Sequence, residues 1–226
     1  MKRGSGFSIS QEGLKLVACV TMLIDHIGAI FFPHIQWFRI IGRLSFPIYC
    51  FLLAEGIHYT HSPLKYGLRL LLVALLAELP YDLLFYRRLT WAHNSVMVTL
   101  LLGFCAGIAS KSCHGWWKLL TVLPFIFLGR YLGGSYGMYG VAMIVMFLLC
   151  REIPHRNPVL WVLMVLLSLR MAGFPSGIGI QFYAVAAMVP ISLYSGEKRS
   201  HSKPLQWAFT LFYPVHIAIL LLIRMF

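Results

Sequence analysis

Several ionisable side chains lie inside long apolar runs of this 226-residue chain, where they could do chemistry. Asp25 and His26 adjoin near the end of the first run, Arg43 lies early in the second, and Glu78 belongs to a Glu-Leu-Pro-Tyr-Asp sequence in the third. Histidine is a natural proton acceptor because it can remain neutral near pH 7. We therefore predict that His26 is a general base. Asp25 could orient it or hold a proton, and Arg43 could pair with Asp25 or Glu78, or stabilise an oxyanion.

Lys15 precedes His26 by eleven residues, which is three turns of a helix. The two side chains would differ by only about 20° in azimuth and lie about 16 Å apart along the axis. Lys15, Cys19, Met22 and His26 would then form one stripe. A cation at one end and a base further in suit a substrate with a phosphate-rich handle and a small reactive end, such as acyl coenzyme A. Alternatively, Lys15 only extends to the membrane interface. Cys19 keeps a covalent acyl intermediate open.

The composition is typical of a polytopic membrane protein. Hydrophobic residues make up 59% of the chain, charged residues 12%, and the mean hydropathy is +0.78. A soluble chain has charge on roughly 25% of its residues. The net charge of +12 comes mostly from arginines and lysines at the ends of apolar runs, where they act as topology signals and do not indicate nucleic-acid binding. Five cysteines without a CxxC pair indicate neither disulfides nor a metal site.

Nine apolar segments can be read as membrane spans. A hydrocarbon core of about 30 Å needs about 20 helical residues, and backbone groups in lipid must be paired internally. We predict an all-α, polytopic transmembrane helix bundle of about nine spans, forming a single domain over residues 1–226, with the first span retained and not removed as a signal peptide. The segments, of which the fourth, sixth and seventh are short, are Leu14–Phe32, Trp37–Ile57, Leu64–Phe85, Ser95–Ala109, Trp116–Tyr131, Tyr136–Leu149, Pro158–Ala172, Ile178–Tyr194 and Gln206–Ile223.

The basic residues between these segments and near their ends predict a cytoplasmic N-terminus. With nine spans, eleven of them fall on the side of the N-terminus and six on the other side. Every lysine belongs to the first side once Lys15, at the inner end of the first span, is added. Cytoplasmic loops carry an excess of Lys and Arg. The first set is Lys2, Arg3, Lys65, Arg69, Lys111, Lys118, Arg151, Arg156, Lys198, Arg199 and Lys203, and the second is Arg39, Arg87, Arg88, Arg130, Arg170 and Arg224.

Four ionisable groups from four spans share one predicted depth. His26, Arg43, Glu78 and His216 each lie six or seven residues from the outer end of their span, which is about 10 Å at 1.5 Å per residue. Such groups are costly in lipid and predict a polar cavity that opens outward. Alternatively, they bond helices together or extend to the interface. The candidates for the outer, acceptor side are Asp82, His216, Arg130 and Arg170.

The chain resembles the TraX family of conjugal-transfer membrane proteins. The matching stretches are LKLVACVTMLIDHIGAIFF, RIIGRLSFPIYCFLLAEGIHYT, ALLAELPYDLLF, HNSVMVTLLLG, YGMYGVAMI and YPVHI, of which MxxDH, GRxxFPxxxFLxAEG and ELPYD are the specific patterns. This resemblance implies an integral protein of the bacterial inner membrane that acetylates the N-terminus of a pilin, with acetyl-CoA as the acetyl donor.

The spacing of Lys15 and His26 is also similar to the basic-x10-His signature of the type-three membrane acyltransferases. That likeness implies that His26 is the catalytic base and that Lys15 contacts coenzyme A. We expect the nucleotide to bind near Lys15, Lys65 and Arg69, on the cytoplasmic side.

The sequence leaves alternatives for the group that accepts the acetyl and for the class of function. A peptide α-amine, with a pKa of about 7.7 to 8.0, needs only one proton removed, whereas an envelope glycan hydroxyl needs stronger activation, so we favour the pilin amine. A proton-coupled transporter or flippase could use the same carboxylates and histidines as a relay. A non-catalytic assembly factor would use them only to join helices.

The lysine distribution predicts the outcome of reporter fusions. A reporter that is active only outside the cytoplasm should be active when fused after Phe226 and inactive when inserted between Gly196 and Ser200. The opposite result would place the polar layer on the cytoplasmic side.

Overall fold

Helices account for the architecture of the computed structural model, which describes residues 8–90, 94–132, 136–153, 156–171, 173, 179–196 and 202–226. These residues contain the α-helices α1 Gln11–Phe31, α2 Gln36–Gly42, α3 Ser45–Tyr59, α4 Pro63–Tyr86, α5 Val96–Lys111, α6 Trp117–Leu132, α7 Gly137–Cys150, α8 Arg156–Met171, α9 Met188–Ser192 and α10 Lys203–Met225. A 3₁₀ helix, Ile180–Ala187, leads directly into α9.

The predicted all-α bundle is confirmed. Each of the nine predicted segments coincides with helix, and the 3₁₀ helix with α9 forms the eighth. Within the described ranges, three stretches are long and apolar enough to cross a membrane by themselves: Gln11–Phe31, Gln36–Tyr59 and Pro204–Met225. On α4, leucines at positions 68, 71, 72, 75, 76 and 79 are 40–66% exposed and follow helical spacing, as expected of a face turned to lipid.

The second predicted span, Trp37–Ile57, is not one continuous helix, because it breaks at Arg43–Leu44 into α2 and α3. Pro47 explains the break. It has no N–H to donate to the carbonyl of Arg43, four residues earlier. Near the break, the carbonyl oxygen of Gly42 accepts a hydrogen bond from the Ser45 hydroxyl at 2.8 Å.

Gly42 lets this break approach α1. A Cβ atom at position 42 would lie 2.1 Å from Asp25 Oδ1 and 2.2 Å from Asp25 Cβ, so a side chain cannot be accommodated there without moving α1. A glycine is therefore required at the point where α2 contacts α1.

The centre of the bundle is formed by α3 and α7. Helix α3 packs against α1, α5 and α7, and most of its side chains are buried. Gly103 and Gly107, one turn apart on α5, face these two helices. Added Cβ atoms there would meet Ile144 at 2.2 Å and Leu148 at 2.7 Å. Small residues at such contacts let helices in a membrane pack closely.

Alternate helix ends meet at two opposite faces. On one, which we call the lysine face, the Ile9 amide donates to Leu193 O at 2.9 Å, Lys111 to His58 O at 3.0 Å and Lys118 to Glu152 at 3.0 Å. On the other, the outer face, Asn94 Nδ2 donates to Leu132 O at 2.9 Å. Arg224, near the end of α10, donates to the carbonyl of Leu84, near the end of α4. The start of α1 and the end of α10 therefore lie on opposite faces, as an odd number of spans requires.

Candidate functional site

Among the described residues, two cavities that share lining residues lie in the bundle, one nearer each face. The inner cavity, of about 330 Å³, lies towards the lysine face and is lined by Lys15, Glu55 and Arg69 among others. The outer cavity, of about 410 Å³, is lined by Asp25, His26, Arg39 and Arg43 among others. The two cavities share Tyr49, Met97, Leu100 and Tyr213 as lining residues. We call these four side chains the partition.

The predicted stripe on α1 runs along both cavities. Lys15 and Cys19 line the inner cavity, and Met22 and His26 line the outer one. The Cys19 thiol is within 3.2 Å of the Tyr49 hydroxyl, which belongs to the partition. Helical periodicity alone thus placed these four side chains correctly on one face of α1.

Asp25 is the centre of an ion cluster in the outer cavity. Arg39 donates to its Oδ2 at 2.7 Å, and Arg43 donates to its Oδ1 at 2.9 Å. Arg43 also donates to Gln181 Oε1 at 3.1 Å and to the Tyr136 hydroxyl at 3.3 Å. Asp25 and Arg43 are 8% and 9% exposed. With two guanidiniums for one carboxylate, the cluster has a net positive charge.

His26 is paired with a second histidine, from the other end of the chain. Its Nδ1 lies 2.8 Å from His216 Nε2, and His216 Nδ1 lies 2.7 Å from the carbonyl oxygen of Phe212. The side chains predicted at one depth on α1 and α10 are therefore in direct contact. Asp25, considered as the residue that orients His26, is bonded to the two arginines instead.

Glu78 and Asp82 bond to backbone near the start of α5. Both Glu78 carboxylate oxygens accept from the Ser95 amide, at 3.0 and 3.1 Å, and Asp82 Oδ2 accepts from the Thr90 amide at 2.8 Å. Neither residue lines the outer or the inner cavity. Glu78 therefore does not line the cavity that contains His26 and Arg43, and its catalytic role stays a prediction.

The remaining predicted site residues divide between the inner cavity and the surface. Lys15 lies 5.5 Å from the centre of the Phe209 ring, and Arg69 lies 5.0 Å from that of Tyr66. Both line the inner cavity. Three others are exposed and line neither cavity: Lys65, Arg130 and Arg170.

Sequence reasoning missed several polar residues of both cavities. In the inner cavity, Glu55 is 4% exposed and forms an ion pair with Arg151, with Arg156 at 3.8 Å. A carboxylate inside an apolar span could have identified Glu55. Arg39 was counted only as a loop cation. No pattern in the sequence singles out Gln181, which reaches Arg43 from the 3₁₀ helix.

Comparison with known proteins gives a family match over nearly the whole chain. The model of the family described as TraX protein matches residues 10–224. A probable fimbrial assembly protein of Dichelobacter nodosus, FimC of serogroup H1, is 27% identical, with 100% of this chain and 99% of that protein covered. Protein TraX of Escherichia coli is 26% identical over 92% of this chain and 84% of its own length. No solved structure matches.

The ion cluster predicts unequal costs of removing its members. Asp25→Ala should lower the free energy of unfolding by about 3–5 kcal/mol, because it leaves buried Arg43 without a counter-charge. Arg39→Ala should cost about 1 kcal/mol or less, because the Arg39 side chain is 33% exposed. Denaturant titration in detergent, followed by tryptophan fluorescence, measures both.

A double variant serves as the control for this prediction. Asp25→Leu combined with Arg43→Met should recover most of the lost stability, since apolar residues replace both charges. Equal losses in Asp25→Ala and Arg39→Ala would show that Asp25 does not compensate a buried charge.

Proposed function

Because the chain belongs to the TraX family, we propose that it is a bacterial inner-membrane acetyltransferase, which moves an acetyl group from cytosolic acetyl-CoA to the N-terminal amine of a pilin. The family resemblance supplies the acetyl chemistry, and the relative named for fimbrial assembly supports a pilus-related role. The observation that carries the proposal is the pair of cavities that meet at the partition. The one nearer the lysine face contains the cations Lys15 and Arg69 beside the carboxylates Glu12 and Glu55, and the one nearer the outer face contains His26.

In this proposal the donor enters from the lysine face. Lys15 and Arg69 are the cations of the inner cavity that bind the phosphates of coenzyme A. The pantetheine arm extends between Tyr49 and Tyr213 of the partition, so that the thioester reaches His26. The distance from Lys15 to His26 along α1, about 16 Å for eleven residues, suits an extended arm.

The acceptor enters from the outer face. His26 removes a proton from the acceptor amine as its nitrogen attacks the thioester carbonyl, and the carbon–sulfur bond then breaks, releasing coenzyme A. The positive charge of the Asp25 cluster supports stabilisation of the negative oxygen formed in this step. Arg43, which lines the same cavity as His26, acts on that oxygen through its charge, because its N–H groups already donate to Asp25, Gln181, Tyr136 and the carbonyl oxygen of Arg39.

Cavities near opposite faces are also typical of transporters, so a proton-coupled transporter or flippase is the second candidate. The two functions differ in what happens to acetyl-CoA. An acetyltransferase releases free thiol, whereas a transporter leaves the thioester intact and moves protons across proteoliposomes.

His26→Ala should abolish turnover of acetyl-CoA. Loss of the general base should lower kcat by about 10²- to 10⁴-fold. The measurement is thiol release by purified protein with and without an acceptor peptide. His34→Ala, at an exposed position between α1 and α2, is the matched control and should keep wild-type turnover. Undiminished thiol release by the His26 variant would remove this residue from catalysis.

Neutralising the inner-cavity cations should affect binding more than chemistry. Lys15→Gln with Arg69→Gln should raise the KM for acetyl-CoA by a larger factor than it lowers kcat, because phosphate contacts are equal in the ground and transition states. Lys65→Gln, nearby on α4 but outside the cavity, is the control. An unchanged KM in the double variant would mean that coenzyme A binds elsewhere.

Mass spectrometry distinguishes the two acceptors. Intact pilins and hydrolysed envelope glycans are compared between strains with and without this protein. We expect the pilin to lose one acetyl-sized mass in the deletion strain. Loss confined to the glycan would contradict the pilin assignment and leave acyl transfer intact.

A further inference from the structure

We infer that His216 is a positioning residue, which fixes the tautomer of His26 so that Nε2 of His26 is the basic nitrogen in the outer cavity. The inference rests on the proposed function for its catalytic meaning, but the hydrogen-bond pattern itself is independent of any reaction. His216, predicted from the sequence as a candidate for the acceptor side, would then orient the catalytic base His26 and not contact the acceptor.

The tautomers follow from what each atom can donate or accept. The carbonyl oxygen of Phe212 only accepts, so His216 Nδ1, 2.7 Å away, must have the proton. In a neutral imidazole the other nitrogen is then an acceptor. His216 Nε2 therefore accepts, and His26 Nδ1, 2.8 Å away, must donate to it. This leaves a lone pair on His26 Nε2.

The geometry of the two rings suits this bond. Their planes differ by 13° and their centroids are 5.0 Å apart. Two imidazoles joined by an N–N distance of 2.8 Å have this centroid separation when the nitrogens lie nearly on the line between the ring centres. The lone pair of His216 Nε2, which lies in the ring plane, is therefore directed at the Nδ1–H of His26.

Aromatic neighbours hold both rings in this arrangement. Phe212 lies parallel to His216, with centroids 4.8 Å apart and planes 19° apart. Phe85 and Tyr213 meet His26 edge-on, at 5.7 and 6.3 Å. His216 is 5% exposed. A histidine that orients a functional histidine in this way replaces the carboxylate that more often does so.

The hydrogen-bonded pair of His26 and His216 also stabilises the charge that forms on His26 in the reaction. When His26 Nε2 takes the proton of the acceptor amine, His26 becomes an imidazolium. Its Nδ1–H bond to His216 then spreads this charge towards the Phe212 carbonyl. The carbon–nitrogen bond forms, the carbon–sulfur bond breaks, and the departing sulfur takes the Nε2 proton, which restores the neutral pair.

The tautomer can be observed directly by ¹⁵N NMR of the full chain, labelled at histidine, in detergent near neutral pH. His26→Gln identifies the His26 signals. We expect wild-type His26 to show a protonated Nδ1 and an unprotonated Nε2, and His216→Phe to become a mixture of tautomers. A wild-type His26 protonated at Nε2 would overturn the inference, whether or not the protein transfers acetyl groups.

Kinetics provide the second measurement. His216→Phe keeps the ring but no acceptor, and should lower kcat by about 10- to 100-fold with an unchanged KM for acetyl-CoA, as for other partners that orient a histidine. His216→Gln places an oxygen near the position of Nε2 and should restore most of kcat. Equal losses in the two variants would make the role of His216 structural. Wild-type protein that transfers no acetyl group would contradict the proposed function while the NMR result still decides the tautomer.

Discussion

Burying Arg43 in the bundle is the constraint on which the arrangement around the outer cavity depends. A guanidinium that is 9% exposed in an apolar bundle needs a carboxylate and further acceptors, which Asp25, Gln181 and Tyr136 provide. To bring these together, the helix must break after Arg43. The residue before Arg43 must also lack a side chain, so that α2 can approach α1. Pro47 and Gly42 meet these two demands, which explains why they occur in one short sequence with Arg43.

In the proposed reaction, the two cavities have different tasks: one binds the charged donor, and the other contains the base. A highly charged donor needs cations and access from the lysine face, where Lys15 and Arg69 lie. In the proposed reaction, a base that must stay neutral is better kept apart from the cavity that binds the donor, and His26 lies beside the apolar edges of Phe85 and Tyr213. Helix α1 serves both, because one stripe of its residues runs along the two cavities.

Much of the fold, and about half of the site, could be predicted from the sequence. Apolar runs give the nine segments, and helical periodicity gives the stripe from Lys15 to His26, because both are local properties. Which residue of another helix faces His26 is not local. The partners Asp25–Arg43 were among the alternatives considered, but His26–His216 joins positions 190 residues apart, and Glu78 turned out to bond to the Ser95 amide. Such contacts depend on helix rotation and packing, which hydropathy does not encode.

The partition has an energetic consequence for the cell. One elementary charge crossing a potential of 100 mV gains about 2.3 kcal/mol, so any continuous water path through an energised membrane dissipates the proton-motive force. Met97 and Leu100 supply apolar surface between the cavities, and Tyr49 and Tyr213 supply bulk. In the proposed function, a narrow pantetheine arm inserted there would displace water and would not admit it. The proposed acetyltransferase would therefore use a cytoplasmic metabolite at the far side of the membrane without becoming a proton leak.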